Sequence, residues 1–263
     1  MKKLFTRLFT MSALLLAAAS TVSAQDAVPS AAYDGPRFPG GPDSLRTFVY
    51  RSTRLAAPAS DRQLVAQFEL KGGQQPQNFK LLPPPRPFKA PLIKAGTAAL
   101  GPLQAKMPNW APGTPDPKAT AEPKIFLPLD VSRPLASLPY AYADTNPVFP
   151  DAVALVPVSQ TLSALDYSSH SLQHYIQRST RYPAAALRQG QQGVVYAYFE
   201  VAETGAIEHT EIVGTAGDAL DNEVLRALKT LPAATKPAML QGRPVRVFYV
   251  VPLTFKMMMR GGA

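Results

Sequence analysis

Histidines, carboxylates and hydroxyls stand close enough to suggest chemistry in only a few places along this chain. His170 and His174 lie one helical turn apart, a spacing that lets two imidazoles share a metal ion. They fall opposite the apolar stripe Leu172, Tyr175 and Ile176, with no third ligand at a usable spacing, so a solvated helix face accounts for them. His209 sits in a strand-like run beside Glu208 and Glu211. Ser171 or Ser179 with His174 and Asp166 supplies the residue types of a nucleophilic triad, but no nucleophile elbow surrounds either serine. Lys71-Gly72-Gly73 lacks the spacing of a phosphate-binding loop. No catalytic, cofactor or metal site is assigned, and the chain reads as a non-enzymatic protein.

The N-terminus predicts where such a protein would work. Lys2, Lys3 and Arg7 precede the apolar run Met11 to Ala19, and Val22-Ser23-Ala24 has the small-x-small form of a signal-peptidase site. Cleavage between Ala24 and Gln25 is expected, giving a periplasmic protein with no stable membrane span, because the run falls short of the roughly 20 residues that cross a bilayer. The alternative is an uncleaved helix over Leu4 to Val22, which would anchor the protein in the inner membrane. The chain has no cysteine, which excludes disulfides and a lipid-modified N-terminal cysteine. Its formal net charge of +9 comes from dispersed basic residues without interleaved stacking aromatics, so it points to anionic envelope partners and not to nucleic acid.

The elements are clearest near the C-terminus. Pro183 opens a short helix, Gly190 suits the left-handed residue after it, and Gly193 releases the chain into a strand. There Val195, Ala197, Phe199 and Val201 share one face and Val194, Tyr196, Tyr198 and Glu200 the other, the period of a sheet covered on one side. Glu203-Thr204-Gly205 makes a hairpin turn. The return strand slips in parity between Ile207 and Ile212, which predicts a bulge. A helix capped by Asp218 carries the stripe Leu220, Val224, Ala227, Leu228 and Leu231 and stops at Pro232. An unbroken alternation from Pro244 to Phe255 predicts a long closing strand.

Tyr182-Pro183, Gly190-x-x-Gly193, Val195-x-Ala197-x-Phe199-x-Val201, Gly205-x-Ile207, Leu220-Asp221, Leu231-Pro232, Gly242-x-Pro244-Val245 and Pro252-Leu253-x-Phe255 occur here in order. In these elements the segment resembles the C-terminal domain of the TonB energy-transducer family, over about 167–257. Ala233-Ala234 stand where that family usually carries an aromatic, a departure that bears on local packing. The resemblance implies an α+β fold, a three-stranded antiparallel sheet with helices on one face.

Weaker echoes lie upstream. Arg51-Ser52-Thr53-Arg54 returns as Arg178-Ser179-Thr180-Arg181, Phe68-Glu69-Leu70 as Phe199-Glu200-Val201, and Leu127-Pro128-Leu129 as Val251-Pro252-Leu253. They predict a degenerate tandem copy at 33–131, with two strands, a helix ending near Met107, a closing strand Lys124 to Leu129, and Trp110 packed within it. The organisation expected is a signal peptide at 1–24, this first copy, a linker at 132–165 and the second copy at 166–257. Much of the chain's complement of 28 prolines falls in and around the first copy and is read as loops, the alternative being one C-terminal domain behind a proline-rich arm.

The resemblance also implies a partner. The family's C-terminal domain adds a short peptide of an outer-membrane transporter to its sheet, a pairing that needs an open strand edge. Carried over, the peptide-facing residues are Arg243, Val245, Arg246, Val247, Phe248, Tyr249 and Val250, helped by Arg181 and Tyr182. Arg243 and Arg246 would add charge complementarity, and Phe248 is expected to direct its N–H outward. The competing reading has the edge covered by the other copy or by a homodimer mate. A structural envelope protein that binds no transporter remains a further alternative.

Overall fold

The computed structural model describes residues 32–53, 63–85, 87–114, 122–129, 133–150 and 164–257, with the side chains of 164–171 excepted. The signal segment and its Ala24/Gln25 junction lie outside the described residues. The first half runs α1 (Gly41–Ser52), β1 (Val65–Lys71), β2 (Gln75–Leu81), α2 (Ala90–Lys106) and β3 (Lys124–Pro128). The second runs α3 (Ala164–Ser179), α4 (Ala184–Arg188), β4 (Gly193–Val201), β5 (Ile207–Gly214), α5 (Asp218–Leu228), β6 (Ala238–Leu240), β7 (Arg243–Val245) and β8 (Val247–Phe255).

The result is an α+β molecule with two three-stranded antiparallel sheets, ordered β2-β1-β3 and β5-β4-β8. In each, the first strand of the half is the central one. The sequence echoes fall on corresponding elements: Arg51-Ser52 and Arg178-Ser179 end α1 and α3, Phe68-Glu69-Leu70 and Phe199-Glu200-Val201 lie in the central strands, and Leu127-Pro128 and Val251-Pro252 lie in the closing strands.

Alternation along the central strands sets the layers. Ala66, Phe68 and Leu70 face α1 and α2, where they meet Leu45, Val49, Leu92 and Leu103. Trp110 is buried there, edge-on to Phe38 at 5.6 Å and Phe68 at 6.0 Å. In the second half Val195, Ala197, Phe199 and Val201 face Leu172 and Ile176 of α3 and Leu220, Val224 and Leu228 of α5.

The opposite face of β4, read from the sequence as the uncovered side, is covered. Tyr196, Tyr198, Val213, Phe248 and Val250 pack against Val65, Leu82, Phe126 and Ala141 of the preceding chain. The two sheets therefore stack face to face with helices on the outer sides, in four layers. Periodicity separates the two faces of a strand but does not tell what lies against each.

Local details sharpen or correct the sequence reading. The bulge is present in β5, with a register shift between Tyr198 and Glu200 and His209 at φ 50. The cap of α5 is Gly217, not Asp218, which becomes the first helical residue. Asp221 reaches back to accept from the Thr215 hydroxyl at 2.5 Å and the Ala216 N–H at 3.3 Å, so the side-chain acceptor sits one turn inside the helix. The closing strand is broken at Arg246: Arg243–Val245 pair with Ala238–Leu240 across a turn at Gln241 and Gly242, both at positive φ, and only Val247–Phe255 pair with β4. The segment 133–150 is no free linker. It bridges Tyr140 to Val247, Thr145 to Met239 and Val148 to Lys236, and buries Tyr142, Ala143 and Phe149. No described helix is long and apolar enough to cross a membrane.

Candidate functional site

Strand β8 lies at one side of its sheet, with β4 as its neighbouring strand there. Its odd-numbered residues from Val247 to Phe255 pack into the helix-side core. The main-chain groups of its even-numbered residues look away from β4, as their partners show. Phe248 N–H donates to Tyr140 O at 3.1 Å, Gln173 Nε2 donates to Pro252 O at 2.8 Å, and Thr254 N–H donates to Gln177 Oε1 at 3.2 Å. The far end of the edge is thus closed by two glutamines of α3, and Pro252 has no N–H to offer. No hydrogen bond among the described residues reaches the main chain of Val250. The stretch from Arg246 to Val250 is the part of this edge that α3 leaves alone.

The expected outward N–H of Phe248 is found, but it is not free. Tyr140 lies parallel to β8, giving its N–H to Arg246 O at 2.8 Å and taking the Phe248 N–H on its carbonyl. The ring of Tyr140 packs at the margin of the second-half core and reaches α1, 4.0 Å from the Arg46 guanidinium, and its hydroxyl donates to Asp43 Oδ1 at 2.7 Å. Burial and the Asp43 carboxylate both raise the pKa of this phenol, so it stays the donor. Arg46 also donates to Leu138 O at 3.2 Å and to Asp43 at 3.1 Å.

The residues inferred to face a peptide part company. Val247 and Tyr249 belong to the core, Tyr249 stacking on Phe199 at 5.5 Å. Phe248 and Val250 sit between the sheets, Phe248 stacking on Tyr198 at 6.0 Å. Arg246, expected to offer charge to a partner, pairs within the chain with Glu208 at 2.5 Å, Glu200 at 3.1 Å and Glu203 at 3.5 Å. Arg243 is exposed and Val245 half-buried. Tyr182 packs edge-on to Phe255, and the neighbouring Arg181 N–H donates to Glu223. Both belong to the opposite end of β8 from Val247, roughly 26 Å away at about 3.3 Å per residue, so they do not join the Arg243–Val250 group.

Near the C-terminal end of the central strand β4, Glu200 is fully buried. Its carboxylate accepts from Tyr198 Oη at 2.8 Å, Arg133 Nη1 at 2.5 Å and Arg246 Nη1 at 3.1 Å. Burial by itself raises its pKa, but the hydrogen bonds from Arg133 and Tyr198 outweigh that and hold it below the usual range. Tyr198 is pushed the other way by burial and the Glu200 charge and remains a donor. His174 is exposed on α3, and no group of metal-ligating side chains occurs among the described residues.

Sequence reasoning missed Tyr140, the Asp43/Arg46 pair on α1 and the two glutamines of α3. The only local signal is Pro139-Tyr140-Ala141-Tyr142, where a proline forbids a helix interior and aromatics alternate.

Residues 178–257 match the family model "Gram-negative bacterial TonB protein C-terminal". Among solved structures, the chain is similar to the NMR solution structure of Helicobacter pylori TonB-CTD over its residues 179–285, with 22% identity and a TM-score of 0.28, covering 43% of this chain and 99% of that one. The shorter fragment, residues 194–285 of the same protein, gives 21% identity and a TM-score of 0.27, covering 34% of this chain and 94% of that one. No curated protein matches the chain. By that match, residues 178–257 are identified as a TonB C-terminal domain.

Proposed function

We propose that this protein serves TonB-dependent transport from the periplasm, with its C-terminal domain taking an extended peptide of an outer-membrane transporter as an added strand on β8. The observation that carries this reading is the edge between Arg246 and Val250, which already pairs with an extended segment at Tyr140. Strand addition draws its affinity from such main-chain bonds and asks little of the ligand's sequence. Export through a signal peptide cleaved after Ala24 would deliver the module to that compartment. The shared strand order of the two halves and the placement of the three sequence echoes support a tandem duplication, with 33–131 the degenerate copy and 166–257 the intact one.

The test is a photoreactive residue at Arg243, which is exposed beside the edge, in the full chain expressed in its own envelope. Mass spectrometry is expected to find it joined to a periplasmic segment of an outer-membrane transporter. Cross-links only to other envelope proteins, or none, reject the transporter and leave a structural envelope role.

A further inference from the structure

The connector that occupies the β8 edge is held there by the first half, and its attachments differ in strength along its length. Downstream, Tyr142 stacks on Tyr33 at 4.5 Å and accepts the Phe38 N–H at 3.0 Å, while Ala143 and Phe149 are buried in the second-half core. Upstream, Arg133 is fixed to the buried Glu200. Between these anchors, Leu138, Tyr140 and Ala141 are only half-buried and Pro139 alone is buried. The stretch meets β8 through the two main-chain bonds of Tyr140 and through Ala141, which packs with Phe248 and Val250 between the sheets, and α1 through the ring and hydroxyl of Tyr140 and the carbonyl of Leu138. Asp43, which receives both Tyr140 and Arg46, is itself exposed, with a side chain 57% accessible. Solvent competes for such bonds, so the stretch can lift off with Pro139, Tyr140 and Ala141 leaving only the margins of the cores while the anchors on either side hold.

We propose that residues 138–141 are a built-in stand-in strand, clamped on the β8 edge by Asp43 and Arg46 of α1, and that an incoming peptide pairs with β8 only by displacing them. This rests on the strand-addition reading above and adds a regulatory role for the first half. A peptide seeking Arg246 O and the Phe248 N–H finds both bonded, so the resting protein presents a closed edge. Whatever draws α1 or its Asp43/Arg46 pair away from Tyr140 opens it. The bound fraction of any ligand then falls with the share of molecules in which the clamp is shut.

The experiment uses the full chain and two variants, Arg46→Ala and Tyr140→Ala, with a synthetic peptide of the chain's own residues 138–144 as the probe. Amide exchange is followed at Phe248, with Leu253 in the β4 ladder as the internal reference, and probe binding by calorimetry. Loss of one or two modest contacts corresponds to about tenfold in an equilibrium constant. Phe248 is therefore expected to exchange about tenfold faster in both variants with Leu253 unchanged, and the probe to bind them about tenfold more tightly than the parent. Equal probe binding by parent and variants, or a Phe248 amide equally protected in all three, overturns the proposal. If Arg46→Ala does not fold, Tyr140→Ala decides. If neither folds, the stretch is a structural element and the proposal also fails. The Arg243 cross-link separates this from the functional reading. A variant that binds the probe but captures no transporter leaves the stand-in strand correct and the transporter reading wrong; equal capture by parent and variants does the reverse.

Discussion

Replacing Glu200 by glutamine tests how the two halves are joined. The carboxylate is fully buried, while the Arg133 and Arg246 side chains that meet it are 23% and 21% accessible. Glutamine keeps the shape and one acceptor oxygen but removes the buried charge that Arg133 and Arg246 share, while Arg246 keeps Glu208 and Glu203. Breaking a buried ion pair from one side costs about 3–5 kcal/mol, and because both arginines still reach water the lower end, about 3 kcal/mol, is expected. In a chain of this size that is a fall in Tm of roughly 6–12 °C. Glu223→Gln is the control: it breaks the pair with the exposed Arg226 at 2.6 Å while an amide oxygen can still accept the Arg181 N–H, so a much smaller loss than for Glu200→Gln is expected.

The pH dependence supplies a second readout with a fixed sign. The folded pKa of Glu200 lies below its ordinary value of 4.5, so its contribution is complete above that value and is lost as pH falls through the folded pKa. The gap between parent and Glu200→Gln in urea unfolding should be widest at neutral pH and narrow at acid pH below 4.5. A Glu200→Gln protein as stable as Glu223→Gln at pH 7, or a gap that does not change on acidification, refutes the charge lock.

Three further outcomes follow from packing. Trp110→Ala, which empties a site bounded by Phe38 and Phe68, should cost about 3–5 kcal/mol in urea unfolding, the range for deleting a buried aromatic; a loss under about 1 kcal/mol would mean the first half has no fixed core. Gly205→Ala drives a Cβ into the Ala234 carbonyl oxygen at φ 86, so it should destabilise by more than the roughly 1 kcal/mol of an unfavourable backbone region alone, and a neutral melt would contradict the hairpin geometry. Phe126→Ala and Tyr196→Ala remove two rings 5.8 Å apart on opposite sheets, and a double-mutant cycle should show coupling of about 0.5–1.5 kcal/mol; strict additivity would show that the sheets do not pack there.

What could be read from the chain was what local spacing encodes. The alternation in β4 and β8, the stripe of α5, the bulge near His209 and the turn glycines each leave a signal within ten residues, and each element is present. The break at Arg246 left none, because Val245 and Val247 keep the same parity on either side of it. Nor did the covering of Tyr196, Tyr198 and Glu200, which depends on a second sheet brought in from more than sixty residues upstream. Two aromatics beside a carboxylate on one strand face do carry information in hindsight, since burying Glu200 requires donors, and Tyr198 supplies one from the same strand. The candidate edge was legible as a strand and illegible as a site: Tyr140 meets it through a single bridge, too small a contact to leave a periodic pattern.

The connector explains why the two halves bear on one edge. Each sheet has two apolar faces, and helices cover only one, so each half supplies the layer the other lacks. Once the sheets stack, the described connector 133–150 lies along the rim of the stack, where β8 presents its outer groups. Among its attachments, those of Arg133 and Tyr140 differ in kind. Arg133 joins a carboxylate shut away from water, a contact that survives as long as the sheets stay together. Tyr140 joins main-chain groups at the rim and an exposed carboxylate on α1, where water and a competing strand can both reach. A change that shifts α1 can therefore free the edge while the stack holds, and one that opens the stack removes both attachments together.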